Sequence, residues 1–328
     1  MNHQLMKLKN GVPALATLLA VILAGCAAPD PHPFQLYSAA VTEAGDGLDK
    51  LLVQDIGWSR DQYIDSVLAG SVSLGHTAIL ERAGPYSAAF RATDGLATQP
   101  TFYKLQDVRV TLRNLNEATG KYVNVLTLLA GSELVNPVTF DAMAKDADTS
   151  LNSISKKLDA QIPGSAIHVF SVSSAEIARL VIEHHRHEAL IKILKDSQPG
   201  MDDYCQKCLS LLQILDESLA NDYSAKAFGL ENEFSEIPKE KRASDPKARA
   251  AVEQLLQLNS NYLTLVASLK SAKKVYETLP QGHRELLQSV QHQPTGLEAI
   301  KGLSEEGKRL KSLYDELKST TATTSQKG

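Results

Sequence analysis

The chain has 328 residues, which is enough for one large domain or two ordinary ones with a sizeable buried core. Hydrophobic residues make up 43% and charged residues 22%, a balance that is typical of globular proteins and excludes a largely disordered chain. The formal net charge is −4, and the sequence has no run of basic residues with aromatics, so nucleic acid is not an expected partner.

The first 25 residues have the pattern of a secretory signal. Lys7 and Lys9 precede a short apolar run, VPALATLLAVIL, at residues 12–23. A helix needs about twenty apolar residues to span a bilayer. The run is shorter than that, so it predicts a signal peptide over residues 1–25 and not a membrane helix.

The apolar run ends in Leu23, Ala24, Gly25 and Cys26. This order of segments resembles the lipobox of bacterial lipoproteins, in which signal peptidase II cleaves before the cysteine. The resemblance implies that Cys26 becomes the N-terminal residue and carries acyl chains, palmitate among them, that attach it to a membrane. Because Ala27 and not an aspartate follows the cysteine, the sorting pattern of Gram-negative lipoproteins implies an outer-membrane location facing the periplasm.

A proline-broken spacer, AAPDPHPF, follows the cysteine and predicts a tether over residues 26–34. Eight extended residues reach about 26 Å at most, so the folded body is expected to stay close to the membrane. A helix is predicted over residues 35–55, although Gly45 and Gly47 weaken it. Residues 59–102 contain several glycines and give no clear pattern.

Long amphipathic helices are predicted for the remaining sequence. The clearest stripe has alternating steps of three and four residues and predicts a helix of about 25 residues. Its members are Leu105, Val108, Leu112, Leu115, Thr119, Tyr122, Leu126 and Leu129. Prolines and glycines are expected to end the helices that follow. These helices are predicted over 138–161, 173–196, 201–220 and 247–279, with shorter pieces at 283–291 and 296–317.

These elements predict an all-α fold, an elongated antiparallel bundle over residues 35–318 whose helices are joined by short Pro/Gly turns. A division into two sub-bundles, 35–165 and 166–318, is an alternative. The charged, proline-containing segment from Phe228 to Pro246 is expected to be a connector. The polar residues 319–328 predict a disordered tail.

One stretch, residues 183–208, has the residue types of a chemical site. A turn predicted at residues 199–200 would pair the helices on either side of it in antiparallel fashion. That pairing would place His187 nearly level with Cys208. The stripes of the two helices bring four reactive side chains to one interface: His184, His187, Cys205 and Cys208.

Three interpretations of this interface remain open. Cys205 and Cys208 could have a structural role, either as a disulfide, which an oxidising compartment favours, or as small buried residues beside hydrogen-bonded histidines. The same pair could respond to redox conditions, because Cys205 is predicted near a helix N-terminus, which lowers a thiol pKa. Zinc or copper could bind His184, His187 and Cys208. The HExxH and CxxCH motifs do not match, and no cofactor is assigned.

The sequence has no Gly-rich phosphate loop, GxSxG motif or EF-hand, so a non-catalytic role is expected. The favoured function is an outer-membrane-anchored periplasmic lipoprotein that acts as a binding or scaffolding module. Its partner would be another envelope protein or a second copy of the chain. The alternative is a periplasmic metal-binding or redox-responsive protein that uses His184, His187, Cys205 and Cys208.

Overall fold

The all-α fold predicted from the sequence is confirmed by a computed structural model. All regular structure in the residues that the structure describes is helical. These residues are 30–68, 101–131, 138–147, 149–150, 186–291 and 296–325.

Five long helices pack against one another in this part of the chain. They are α1 (His32–Leu68), α2 (Thr101–Ala130), α3 (Arg186–Glu236), α4 (Pro246–Val290) and α5 (Glu298–Ser325). A shorter helical segment covers residues 138–147. Helices α3 and α4 form a long antiparallel hairpin, and α1 packs on this hairpin and against α2 and α5.

Helix α2 shows how the sequence pattern produces the fold. All eight members of the predicted stripe, from Leu105 to Leu129, are buried in the core. Side chains three and four positions apart share one face of a helix, so the stripe gives α2 a continuous apolar surface. Arg109 of α2 binds Asp49 of α1, and its guanidinium donates two hydrogen bonds of 2.8 Å each to the carboxylate. This ion pair sets the register of α1 and α2.

Helices α3 and α4 each continue through a proline that was expected to end them. Pro199 lies inside α3 and Pro280 lies inside α4. The predicted turn at residues 199–200 is therefore wrong, and so is the predicted break after residue 279. The pieces predicted separately at 201–220 and 283–291 belong to the two long helices.

The packing of α3 against α4 keeps both helices continuous through these prolines. A proline inside a helix removes one backbone donor and disturbs the preceding turn. Here side chains contact backbone carbonyls close to both prolines. Ser197 Oγ lies 2.6 Å from the Ile193 carbonyl oxygen. Gln198 Nε2 crosses from α3 to the Pro280 carbonyl at 3.3 Å, and the Tyr37 hydroxyl reaches the Leu279 carbonyl at 3.2 Å.

The connector between α3 and α4 is shorter than the sequence suggested. Helix α3 continues to Glu236, so the first half of the predicted connector is helical and the turn covers residues 237–245. Asp245 then caps α4, where its side chain accepts a hydrogen bond from the Lys247 backbone N–H at 2.8 Å. Pro246 follows at the first helical position, where its missing N–H costs nothing.

The first and last helices are both longer than the sequence predicted, so the predicted tether and the predicted tail are each partly helical. Helix α5 extends to Ser325, so residues 319–325 of the predicted disordered tail are helical. Once a helix has formed, each added residue contributes one backbone hydrogen bond, while serine and threonine cost only fractions of a kcal/mol. At the other end of the chain, α1 begins at His32, within the predicted tether.

Two glycines mark the closest approaches between helices. A Cβ atom at Gly47 would lie 2.9 Å from Leu310 Cβ, which shows how tightly α1 packs on α5. A Cβ at Gly282 of α4 would lie 2.9 Å from Leu303 Cδ1 and 3.0 Å from Tyr37 Cε2. Gly47 seemed from the sequence to weaken a helix, but it permits close packing instead.

Helix α5 is fixed to α4 by a cap from a distant residue. Glu285 of α4 accepts hydrogen bonds from the backbone N–H groups of Ala299 at 3.0 Å and Ile300 at 3.1 Å. These groups have no partner within their own helix, and a carboxylate also complements the positive end of the helix dipole. The buried Glu285 therefore joins the two helices.

Candidate functional site

The predicted histidine–cysteine interface does not form. Because α3 is one continuous helix, His187 and Cys208 lie 21 residues apart along it. A rise of 1.5 Å per residue separates them by about 31 Å, which excludes a metal ion bound by both. The antiparallel pairing that supported this site depended on the turn at residues 199–200. His184, the third predicted ligand, lies outside the described residues.

The predicted disulfide is also absent, since Cys205 and Cys208 are both free thiols in the core. One turn of helix separates them, and their side chains meet different neighbours. Cys205 Sγ lies 4.0 Å from Met201 Sδ, whereas Cys208 contacts the hydroxyls of Tyr204 and Tyr276. Burial raises the pKa of both thiols, which keeps them protonated and poorly reactive. The prediction that Cys205 lies near a helix N-terminus, which would lower its thiol pKa, is therefore wrong, since Cys205 lies inside α3.

A buried hydrogen-bond network surrounds His283, close to Pro280 in α4 and to Gln198, the residue before Pro199, in α3. The His283 ring is fully buried, and its Nε2 lies 2.7 Å from the Tyr122 hydroxyl. That hydroxyl also lies 2.5 Å from Ser197 Oγ. On the other side of the ring, Nδ1 lies 2.7 Å from Gln198 Oε1. The network joins α2, α3 and α4 through side chains alone.

The partners of His283 define its protonation. An amide oxygen can only accept a hydrogen bond, so Nδ1 carries the proton and donates to Gln198. Nε2 is then the acceptor for the Tyr122 hydroxyl. Burial, assisted by the neighbouring positive charge of Arg284, lowers the pKa of His283 to about 3. The ring is therefore neutral at physiological pH.

This network continues to the protein surface. Gln198 Nε2 donates to Asp202 Oδ1 at 2.9 Å, and Arg284 binds the same carboxylate at 3.0 Å. The chain of contacts thus runs from an exposed ion pair to a buried histidine. Its exposed part contributes little to stability, because water competes for both charges. Its buried part is fully partnered and fixes how the helices pack.

A second polar layer lies about two turns further along α3. The hydroxyls of Tyr204 and Tyr276 both donate to Asn116 Oδ1, at 3.2 Å and 2.8 Å. Their rings meet edge to face with centroids 6.0 Å apart. Burial raises the pKa of both tyrosines, so neither ionises at physiological pH. This layer again joins α2, α3 and α4.

Neither layer is open to a substrate. Tyr122, Ser197 and His283 resemble the residue types of a nucleophilic site, but all three are at least 99% buried. Acid–base or nucleophilic catalysis needs a substrate within hydrogen-bonding reach of these groups. The geometry therefore fits a role in specifying the arrangement of the helices.

The surface best suited to an interaction lies on the part of the α3–α4 hairpin that contains the turn between these helices. Asp222 is the last buried residue of α3, and Ser59 is the last described residue of α1 that is buried. Beyond this level the hairpin has few buried side chains, and we call residues 223–263 the arm. Three large apolar side chains of the arm are mostly exposed: Phe228 (64%), Leu256 (63%) and Leu263 (67%).

These side chains lie on one side of the arm. Val252, Leu256 and Leu263 are spaced by four and seven residues, so they share one face of α4. That face differs from the one where Leu265 and Leu269 contact α1. We call the surface formed by Phe228, Val252, Leu256 and Leu263 the outer face of the arm.

Phe228 reaches the same level from the other helix of the hairpin. The hydroxyl of Tyr223 donates to Asn259 Oδ1 at 2.8 Å, which fixes the register between α3 and α4. Counting along both helices from this contact places Phe228 within about one turn of Leu256. Helical periodicity turns Phe228 about 120° away from Asp222, which faces α1. The apolar residues therefore lie away from α1.

Comparisons of the chain with protein-family models, curated proteins and solved structures found no match. Among the residues placed by the structure, no three or more histidine, cysteine or acidic side chains form a group that could hold a metal ion. None of the described helices combines the length and apolar character needed to cross a membrane. Cys26 and the lipobox residues Leu23, Ala24 and Gly25 lie outside the described part.

Sequence reasoning missed the main polar residues of the core for a local reason. Tyr122 was correctly predicted to pack in the core, because it falls on the α2 stripe. His283 and Gln198 were not identified, since each lies beside a proline where a helix was expected to end. A histidine three residues after Pro280 was the available signal, but its partner residues come from other helices.

Proposed function

We propose that this protein is a lipid-anchored, non-catalytic scaffold of the cell envelope whose arm binds a partner protein. The observation that carries the proposal is the outer face of the arm, where large apolar side chains remain exposed on a long helical hairpin. An apolar helical face of this kind suits the docking of an amphipathic helix. The lipobox-like residues at the N-terminus supply the proposed anchor, facing the periplasm from the outer membrane.

The direction of the helices supports this arrangement. Helix α1 begins six residues after Cys26, so a lipid on that cysteine would hold the start of α1 close to the membrane. Tyr37 contacts Met201, while Asp55 near the other end of α1 meets Asp222, so α1 and α3 run parallel. The 39 residues between Met201 and the turn near residue 240 correspond to about 58 Å of helix. The arm therefore points away from the proposed anchor.

The first prediction concerns the anchor. We expect Cys26→Ser to release the protein from the membrane fraction of the producing bacterium, because serine cannot carry the thioether-linked lipid. Fractionation and intact-mass measurement would show loss of both the acyl mass and the membrane attachment. Cys205→Ser should leave both unchanged, because that thiol is buried in the bundle. Continued attachment of the Cys26→Ser protein would contradict a lipid anchor.

The second prediction concerns the arm. A photo-crosslinking amino acid at Leu256 should capture a specific envelope protein in intact cells, because this side chain is exposed on the outer face. The same group at Gln254, exposed on a different face of the same helix, is the matched control and should capture little. Mass spectrometry of the crosslinked band identifies the partner.

The outcomes separate the possible roles of the arm. Substituting Phe228→Glu should abolish the crosslink from Leu256 without unfolding the bundle, since Phe228 is already exposed. A band containing only a second copy of this chain would replace partner binding with self-association. Equal capture from both positions, or none from either, would reject the outer face as a docking surface.

A further inference from the structure

The last buried layer between α1 and the hairpin contains two facing carboxyl groups. Asp55 of α1 and Asp222 of α3 are each only 4% exposed. Asp55 lines a narrow cleft together with Leu219 of α3, and Asp222 follows three residues later on the same face of α3, so both carboxyl groups lie at the α1–α3 contact. Like charges this deep in a protein repel strongly, because little water screens them.

Hydrogen bonding in this layer is incomplete. Asp55 Oδ1, Asp222 Oδ2 and Ser218 Oγ are buried and have no hydrogen-bond partner. Ser59 donates to Asp222, and the Lys226 ammonium is the positive charge that acts on it. Buried carboxylate oxygens without donors are costly, whereas a protonated carboxyl can donate to its neighbour.

The surroundings of Asp55 offer it no compensating charge. It borders a narrow cleft lined by leucines from α1, α3 and α4: Leu51, Leu52, Leu219, Leu265 and Leu269. Lys226 is drawn toward the ring of Trp58, with Nζ 5.7 Å from the ring centroid. Burial and the charge of Asp222 raise the pKa of Asp55 to about 8, and burial raises that of Asp222 to about 6.

We propose that Asp55 and Asp222 form a proton-binding latch that holds the C-terminal part of α1 against the hairpin at the base of the arm. With a proton on the pair, the layer holds at most one negative charge and stays closed. When the last proton leaves, two buried negative charges face each other across the α1–α3 contact. That contact is the last buried layer, so the end of α1 from Asp55 onward can separate while the layers before it stay packed.

The direction of the pH effect follows from proton binding. Both carboxyl groups have a folded-state pKa above the value of about 3.9 expected in an unfolded chain. The folded protein therefore binds more protons between about pH 4 and pH 8. The latch contributes its full stabilisation below this window and loses it as the pH rises through about 8. This inference does not depend on the proposed partner.

The chain contains its own reporter of the latch. Trp58 is the only tryptophan in the sequence, is 7% exposed, and lies one turn from Asp55. We expect its fluorescence emission to shift to longer wavelength with a midpoint near pH 8, as the latch opens and water reaches the ring. Far-UV circular dichroism over the same range should show that the helices persist.

Two variants and a control make the experiment decisive. Asp55→Asn and Asp222→Asn each remove one charge and should abolish the shift near pH 8, with Trp58 remaining in its buried environment. Asp61→Asn, on the exposed side of α1, is the control, and this variant should show the same shift of the Trp58 emission with pH as the wild-type protein. Adding calcium or magnesium at pH 9 tests whether a cation can replace the proton. The latch is rejected if the Trp58 emission of the wild-type protein does not shift between pH 6 and 9. It is also rejected if the two Asn variants still show this shift, or if the emission changes only when calcium or magnesium is added.

Discussion

Replacement of His283 by alanine is expected to lower the free energy of unfolding by about 3–5 kcal/mol. The substitution leaves a cavity in the core and removes the partner of Gln198 Oε1 and one partner of the Tyr122 hydroxyl. Urea unfolding followed by circular dichroism measures the change. His32→Ala, at an exposed site near the start of α1, is the matched control and should be close to neutral.

The same variant has a pH signature. His283 has a folded-state pKa of about 3, below the value of about 6.5 in an unfolded chain. The unfolded chain therefore binds the proton more readily, and the stability contributed by the neutral ring is lost as the pH falls from about 6.5 toward 3. The difference in stability between the unchanged protein and His283→Ala should shrink over this range. A difference independent of pH would show that the ring is not held neutral.

Gly282→Ala is expected to destabilise the protein by about 1–2 kcal/mol, and Gly282→Val by about 3 kcal/mol. The added Cβ would lie 2.9 Å from Leu303 Cδ1 and 3.0 Å from a ring carbon of Tyr37. The Tyr37 ring cannot move aside easily, because it is fully buried and its hydroxyl binds the Leu279 carbonyl at 3.2 Å. Thermal or urea unfolding gives the magnitude.

Gly57→Ala is the same substitution as Gly282→Ala, but it is expected to stabilise the protein. No atom beyond its own helix turn lies within 4 Å of a Cβ at Gly57, so alanine fits without a clash. Alanine is also the better helix former, so this substitution should stabilise the protein by about 0.5–1 kcal/mol. If Gly57→Ala and Gly282→Ala had the same effect, close packing at Gly282 would not be the cause.

The two prolines show why local sequence signals were misleading here. Each proline was expected to end a helix, since it cannot donate a backbone hydrogen bond. Both helices continue because they pack against each other along their length. Tertiary packing can exceed the cost of one interrupted turn, and no local pattern reveals it.

The stripes of α2 and α4 differ in how well periodicity predicts burial. Every member of the α2 stripe is buried, since α2 packs in the body of the bundle. On α4, the apolar Val252 is 43% exposed, because it lies beyond the level at which α1 covers the hairpin. A repeat of apolar residues predicts which side chains share a face, but burial also needs a neighbouring helix at that level.

The predicted histidine–cysteine site failed for a related reason: helical spacing predicts the face of a residue but not which residue packs against it. Cys205 and Cys208 were placed correctly on the buried face of α3, because their spacing matches the helical repeat. Their pairing with His187 required a turn, and the continuous helix removed it. The Asp55–Asp222 pair could not be found from the sequence, since 167 residues separate two aspartates that look like surface residues in their own helices.

The sequence by itself determined the helical class, the buried stripes of α2 and of the central part of α3, and the lipobox-like pattern on which the proposed anchor rests. These features depend on residues close together in the chain, where helical geometry and segment order apply directly. Only the tertiary structure decided that α3 and α4 pass through their prolines, that His283 lies at the centre of a buried network, and that two carboxyl groups face each other at the base of the arm. Each of these depends on contacts between residues far apart in the chain, and their free energies are set by burial, which a one-dimensional pattern does not contain.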